Sequence, residues 1–384
     1  MLPSQRALFD IPREVCYLNA AAFSPLPHAG RAAGERGAAR KARPWEMGNW
    51  QENAQAQCER ARVAAARLIG AAADDVALVS SVAYGFATVG RILPVVRGDR
   101  VVVLQDDHSS PVLEWLGRAP LQGFAVETVA RPEDGDWTEA VLAAITRPGA
   151  PKLALVSISS VHWSDGGLVD LARVASAVRA QGAALAVDAT HHVGMLPIDV
   201  QRLDTDFLMF PTYKWVLGPY GRAFLYVAKR WQHGTPLEQT SLGRRAVDAA
   251  TTPYLRDIAY VADARRFDMG ERDFFIGLEM AAVGMELMAE WGAAAITERA
   301  SMLTGRLVEG LNDARVAIAP AHLRAPHVLS LRFPDGMPQG LPERLAAENV
   351  FVSPRLGRLR ISPHVYNDEA DIDRFLAAFR RLAA

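Results

Sequence analysis

Lysine is scarce in this sequence. Its 384 residues include only Lys41, Lys152, Lys214 and Lys229, and arginine supplies the rest of the basic charge. Other scarcities narrow the possible functions. The two cysteines, Cys16 and Cys58, form no metal-binding or redox spacing, so a reducing cytoplasm is the simple expectation. A formal net charge of −1 offers no attraction to nucleic acid or to an anionic membrane surface. The stretch Met1-Leu2-Pro3-Ser4-Gln5-Arg6 lacks an apolar signal core. No run of about 18 apolar residues is present to span a bilayer. There is no Gly-x-x-x-x-Gly-Lys-Ser/Thr loop, and no Gly-x-Gly-x-x-Gly follows the first expected strand, which argues against the common nucleotide cradles. His108, His162, His191 and His192 match no common zinc spacing, which disfavours a metal hydrolase.

Half of the residues are hydrophobic, enough for a large core, and the length suits two domains. From about 76 to 228, short β-rich runs alternate with Ala/Leu/Arg-rich helical segments. The spacing predicts strands at 76–80, 100–104, 124–129, 152–158, 184–188, 206–210 and 222–228. Such alternation predicts an α/β architecture with a mostly parallel sheet and crossover helices. Ligands of these sheets bind beyond the carboxyl ends of the strands, where Ser80-Ser81, His108, Ser160, Asp188 and Lys214 all fall. After about residue 245 the pattern changes. Helices are expected at 273–291 and 293–314, strands near 327–333, 350–353 and 358–362, and an amphipathic helix at 368–382. The reading is an arm over 1–20, a large domain over 21–255 and a smaller α+β domain over 256–384.

Lys214 lies in Phe210-Pro211-Thr212-Tyr213-Lys214-Trp215-Val216-Leu217-Gly218-Pro219-Tyr220-Gly221, a mostly apolar and aromatic stretch. Charge is costly there, so its pKa should fall, and a neutral amine is what Schiff-base chemistry requires. Upstream, Asp188 ends the apolar run Ala183-Ala184-Leu185-Ala186-Val187. A Schiff-base lysine and a strand-end carboxylate together suggest pyridoxal phosphate, with the carboxylate keeping the ring nitrogen protonated.

Three segments resemble the class V aminotransferase family of fold-type I pyridoxal-phosphate enzymes. Asp188-Ala189-Thr190-His191-His192-Val193-Gly194 is similar to its Asp-x-x-Gln-x-x-Gly segment. Tyr213-Lys214 followed by Gly218-Pro219-Tyr220-Gly221 resembles His-Lys followed by Gly-Pro-x-Gly. Arg360-Ile361-Ser362 before Tyr366-Asn367 resembles a C-terminal Arg-x-Ser and Tyr-Asn pair. The resemblance runs from Tyr17-Leu18-Asn19 to Tyr366-Asn367.

The resemblance implies roles residue by residue. Lys214 would hold the cofactor and shuttle the Cα proton, Asp188 would pair with the ring nitrogen, and His108 would stack on the ring. His191 stands where a Gln is usual and would bond the phenolic oxygen. Ser81, Val82 and Ala83 would form the phosphate cup, with Thr212 and Tyr213 filling in. Ala83 and Pro211 occupy positions where the family often has hydroxyls. Gly270-Glu271-Arg272 resembles a segment that reaches the partner subunit's phosphate, with Arg272 as a source of charge. Arg360, rather than its strand-mate Arg358, would bind a substrate α-carboxylate, with Asn19 nearby. His162 and Trp163 are weaker candidates for contacts near the cofactor oxygen or the substrate, and Phe23, Trp45, Trp50 and Trp163 for shaping a side-chain pocket.

The expected function is a homodimeric enzyme acting at the Cα of an amino acid, an aminotransferase in the first place. A C–S β-lyase or epimerase is the alternative, and a non-catalytic cofactor-binding protein is the third reading. A persulfide-forming desulfurase is disfavoured because residues 334–359 contain no cysteine.

Overall fold

The computed structural model describes residues 2–245, 258–272, 275–312 and 316–383. The expected domain boundary at 255/256 and the side chain of Trp50 lie outside the described residues.

The chain opens with β1 (Cys16–Tyr17), α1 (His28–Ala42) and α2 (Trp50–Ile69). An alternating series follows: β2 (Val76–Val79), α3 (Val82–Ile92), β3 (Arg100–Leu104), α4 (Ser109–Gln122), β4 (Ala125–Val129), α5 (Trp137–Ile145) and β5 (Leu153–Ser159). It continues with α6 (Leu171–Ala180), β6 (Ala184–Asp188), α7 (Val200–Leu203), β7 (Phe207–Pro211) and β8 (Ala223–Val227). Strands β2 to β8 form one sheet in the order β2-β8-β7-β6-β5-β3-β4, in which only the β2–β8 and β7–β8 pairs are antiparallel. This is the fold-type I architecture.

The continuous apolar runs arise because both sheet faces are covered. Leu185, Val187, Leu208 and Phe210 join one core cluster, while Ala184, Ala186, Phe207 and Met209 join the other. Side chains alternate along a strand, so Asp188 shares the face of Ala184 and Ala186. Because β8 runs against both neighbours, the carboxyl ends of β2 to β7 and the start of β8 meet at one edge. That edge collects the residues singled out from the sequence.

The C-terminal part contains α8 (Phe275–Trp291), α9 (Ala293–Gly310), β9 (Leu329–Arg332), α10 (Leu341–Ala347), β10 (Val350–Phe351), β11 (Ser353–Arg355), β12 (Arg358–Ile361) and α11 (Glu369–Leu382). Strands β11, β12 and β9 form an antiparallel sheet, and β1 pairs in parallel with β10. The arm is stitched to this unit at two points. Leu18 N–H donates to Phe351 O at 2.9 Å, and Ser362 N–H donates to Leu18 O at 2.8 Å. Asn19 is thereby held beside Ser362, two residues past Arg360.

Helix α8 buries Leu278, Ala281, Ala282, Met285 and Met288 in the same core cluster as the first sheet. Its Gly284 lies against the turn that follows Lys214, where a Cβ would stand 2.4 Å from Val216 O. The Lys214 turn is therefore clamped between the sheet and α8.

Candidate active site

Lys214, Asp188, His108, Ser81, Val82 and Ala83 line one cleft of about 230 Å³ at the strand-end edge. Tyr213 lines it too. Lys214 follows β7 by three residues and is buried. Its Nζ lies 5.4 Å from the centroid of the Tyr213 ring. Burial pulls its pKa down to about 8, against the opposing pull of Asp188, and Arg360 and Arg355 lower it further. With a pKa of 8, about one amine in ten is neutral at pH 7, against about one in a few thousand for an ordinary lysine. The rate at which Lys214 condenses with an added aromatic aldehyde is therefore expected to rise with pH through a midpoint near 8, measured by stopped-flow absorbance. The linked stability effect has a definite sign. The folded value lies below the ordinary 10.5, so below pH 8 the apo protein carries the full penalty, which is relieved as pH climbs from 8 to 10.5.

Asp188 is buried at the end of β6. Its Oδ1 accepts from Thr190 N–H at 2.9 Å, and its carbonyl accepts from Ser160 N–H at 3.1 Å. These contacts hold the carboxylate at the cleft floor. His108 is the N-cap residue of α4, and its ring meets Trp163 edge-on at 6.3 Å. Its pKa is lowered mainly by crowding, with Asp188 opposing and Lys214 adding to the effect. At the cup, Ser81 caps α3 by accepting from Tyr84 N–H at 3.0 Å. The N–H groups of Val82 and Ala83, ahead of it in the first turn, are left for a ligand.

His191 is buried, and its tautomer follows from one contact. Trp215 Nε1–H, which can only donate, reaches His191 Nδ1 at 2.9 Å. Burial and the cations Lys214 and Arg360 hold the ring neutral, its pKa well below the usual value. The proton of His191 is therefore on Nε2, a buried donor with no partner among the described residues. Two more histidines brace this pair: His327 Nε2 donates to His191 O at 2.7 Å and His364 Nε2 donates to Trp215 O at 3.0 Å. Trp215→Phe keeps most of the volume and removes the donor. It is expected to mix the His191 tautomers, read by imidazole ¹⁵N shifts, and to weaken cofactor affinity by about 2- to 10-fold.

Arg360 is buried on β12, between Ser330 of β9 and Ser353 of β11. It donates to Trp163 O at 2.5 Å and to Ser353 Oγ at 3.4 Å, while Nε has no partner among the described residues. Burial, helped by Arg355, lowers its pKa to about 9. Arg358 is only half-buried and lies opposite Arg332, so the buried arginine of the pair, near enough to Lys214 to lower its pKa, is Arg360. Asn19 Oδ1 is another buried atom without a partner among the described residues.

Idle buried donors at His191 and Arg360, an anion-ready helix start, a strand-end carboxylate and a partly neutral lysine fit pyridoxal phosphate with an amino acid beside it.

Three expectations change. Thr212 does not line the cleft: its hydroxyl donates to Pro219 O at 2.5 Å and Arg222 O at 3.2 Å, bracing the 212–222 turn from below. Arg272 is not presented outward. It folds back into a buried network with Asp268 and Gln55, because Asp268 also needs it beside Arg62. His162 is turned inward, stacked on Trp137 at 4.8 Å with Nε2 on Gln105 O. Trp163, by contrast, joins the site through Arg360 and His108. Two cleft or cleft-supporting residues carried no role in the sequence reading, Trp215 and Arg222. The aromatic directly after Lys214 and the strand-opening arginine were their only signals.

A family model described as aminotransferase class-V matches residues 16–375. The chain is 27% identical over 326 residues to an uncharacterized aminotransferase of Bacillus subtilis, covering 84% of this chain and 83% of the relative. It is 28% identical over 335 residues to isopenicillin N epimerase of Streptomyces clavuligerus, covering 84% of each. Among solved structures it is similar to the cystine C–S lyase C-DES with cysteine persulfide, at a TM-score of 0.85 and 20% identity, covering 97% of this chain and 98% of that one. A mutant of C-DES, solved with glycine covalently linked to its PLP cofactor, gives a TM-score of 0.84 at 20% identity over 99% of both chains.

Proposed function

The chain belongs to the class-V aminotransferase family, and on that premise we propose that this pyridoxal-phosphate enzyme moves the amino group of a small amino acid to a keto acid. The observation that carries the proposal is the Lys214 amine, buried in the same cleft as the Asp188 carboxylate. When bound, the cofactor supplies an electron sink for the charge that develops at Cα. The residues of this chain do the rest. Lys214 Nζ would take the proton from Cα and give it up to the cofactor rather than back to Cα, as transfer of the amino group requires. The Asp188 carboxylate would hold a proton on the ring nitrogen, and His191 Nε2–H would donate to the ring oxygen. Arg360 grips the α-carboxylate with its planar fork, beside the open acceptor of Asn19. His108 would pack on the ring, with Trp163 edge-on behind it.

A desulfurase working through a protein persulfide is disfavoured on two grounds. Residues 334–359 hold no cysteine, and the two cysteines are fully buried. Cys16 donates to Asp371 O at 3.1 Å, and burial raises its thiol pKa, so it is a packing residue. The second reading, epimerisation or C–S β-elimination at the same Cα, draws support from the epimerase relative and needs no further residue. The test is incubation of the holoenzyme with a panel of amino acids, with and without keto acids. Stoichiometric keto acid release with amination of the cofactor supports transamination. Pyruvate with a released thiol, or loss of optical activity without either product, supports the second reading.

We further propose a cytoplasmic homodimer. Phe23 and Tyr220 stand 50% and 70% exposed at the cleft mouth, stacked at 6.1 Å, and Tyr213 adjoins both. Such an aromatic cluster is costly to leave in water. Sedimentation of the holoenzyme as an active monomer would overturn this.

A further inference from the structure

We propose that Arg222 binds the phosphate of the cofactor, supplying the charge that a cup with Ala83 and Pro211 lacks. Sheet geometry puts it there. Ala223 opens β8 and pairs with both Val79 of β2 and Pro211 of β7. Arg222, one residue earlier, is therefore flanked by the residues that leave those strands, Ser80 and Thr212. Thr212 N–H donates to its carbonyl at 3.0 Å, which fixes the main chain. Arg222 is buried yet lines the cleft with Ser81, Val82 and Ala83. Its Nη1 lies 3.8 Å from Met269 Sδ, one of its contacts.

The groups around it call for a cation. The N-terminus of α3 opens onto the same end of the cleft, and its free N–H groups and dipole favour an anion. Backbone donors alone leave a dianion's charge unbalanced in a partly buried site. Hydroxyls that line the cleft, such as Ser80 and Tyr213, carry no charge, and of the four positions singled out for the cup Ser81 caps its helix, Thr212 braces the turn, and Ala83 and Pro211 have no hydroxyl. Lys214 is the other cation lining the cleft, and its amine is required elsewhere. A guanidinium matches phosphate oxygens with two parallel donors, so one residue supplies both charge and geometry.

The test compares pyridoxal phosphate with pyridoxal, which lacks the phosphate, by fluorescence titration of the apo protein. Wild type should prefer the phosphate form strongly. In Arg222→Met the ratio of the two affinities should fall by roughly 10- to 100-fold, and Arg222→Lys should recover part of it. A ratio within about twofold of wild type in folded Arg222→Met would overturn the proposal. If that variant does not fold, as judged by circular dichroism, wild-type protein decides. An arginine-selective dicarbonyl reagent, mapped by mass spectrometry, should find Arg222 shielded by pyridoxal phosphate and not by pyridoxal. Equal shielding by both would reject the role. Wild type that binds neither compound would overturn the proposed function along with it.

Discussion

Lys214→Ala is expected to abolish turnover and the visible absorbance that covalent attachment through this lysine gives the reconstituted protein. Proton transfer by a positioned side chain contributes about 10²- to 10⁴-fold by itself, and the covalent attachment of the cofactor is lost with it. The loss should survive saturating substrate, because it lies in kcat. Misfolding is not its cause. Burying this amine costs the apo protein stability below pH 8, so the variant is expected to melt no lower than wild-type apo protein at pH 7, by calorimetry. A variant that still turned over at more than a few per cent would remove Lys214 from the centre of the reaction. Partial recovery with added methylamine would show that only the amine was missing.

Arg360→Ala has the second large effect. Truncating one partner of a buried charge pair costs about 2–5 kcal/mol, equivalent to about 30- to 4,000-fold in kcat/KM. The increase should fall mainly on KM, and on the Kd of amino acids that bind without reacting, since the carboxylate is gripped throughout the reaction. Arg360→Lys keeps the charge but not the fork and should recover only part of the loss. Arg358→Ala is the control. Half-buried and facing Arg332, it is expected to change KM by less than about twofold. Equal losses in the two variants would move the carboxylate site away from Arg360.

Much of the sheet was readable in the sequence because buried strands carry their signal locally. Runs such as Val101-Val102-Val103-Leu104 and Phe207-Leu208-Met209-Phe210 are apolar throughout, with both faces covered. Each of the seven expected strands lies within about a residue of its observed bounds. Helix α1 was not readable. Gly30, Gly34 and Gly37 lower its intrinsic propensity. Gly34 and Gly37 are there for close packing on α8, where a Cβ at Gly34 would stand 2.7 Å from Met280 Sδ and one at Gly37 2.9 Å from Ile276 Cα. That reason lies about 240 residues away in the chain.

The site divides in the same way. Lys214 and Asp188 were identifiable in sequence, since each has unusual neighbours for its chemistry and each lies at or just beyond the end of a strand. Arg360 needed its motif, because alternation alone could not separate it from Arg358. The inward turn of Thr212 and the capture of Arg272 by Asp268 depend on partners distant in the chain. So do the proton position on His191 and the placement of Arg222. Sequence by itself determined the strands, their order along the chain and the candidate pair Lys214 and Asp188, because hydrophobic period and local polarity are short-range properties. Tertiary structure alone decided which polar groups point at the ligand and which are taken up by the protein. A hydrogen-bond donor or a charge is committed by whatever folds against it, and no local pattern records that partner.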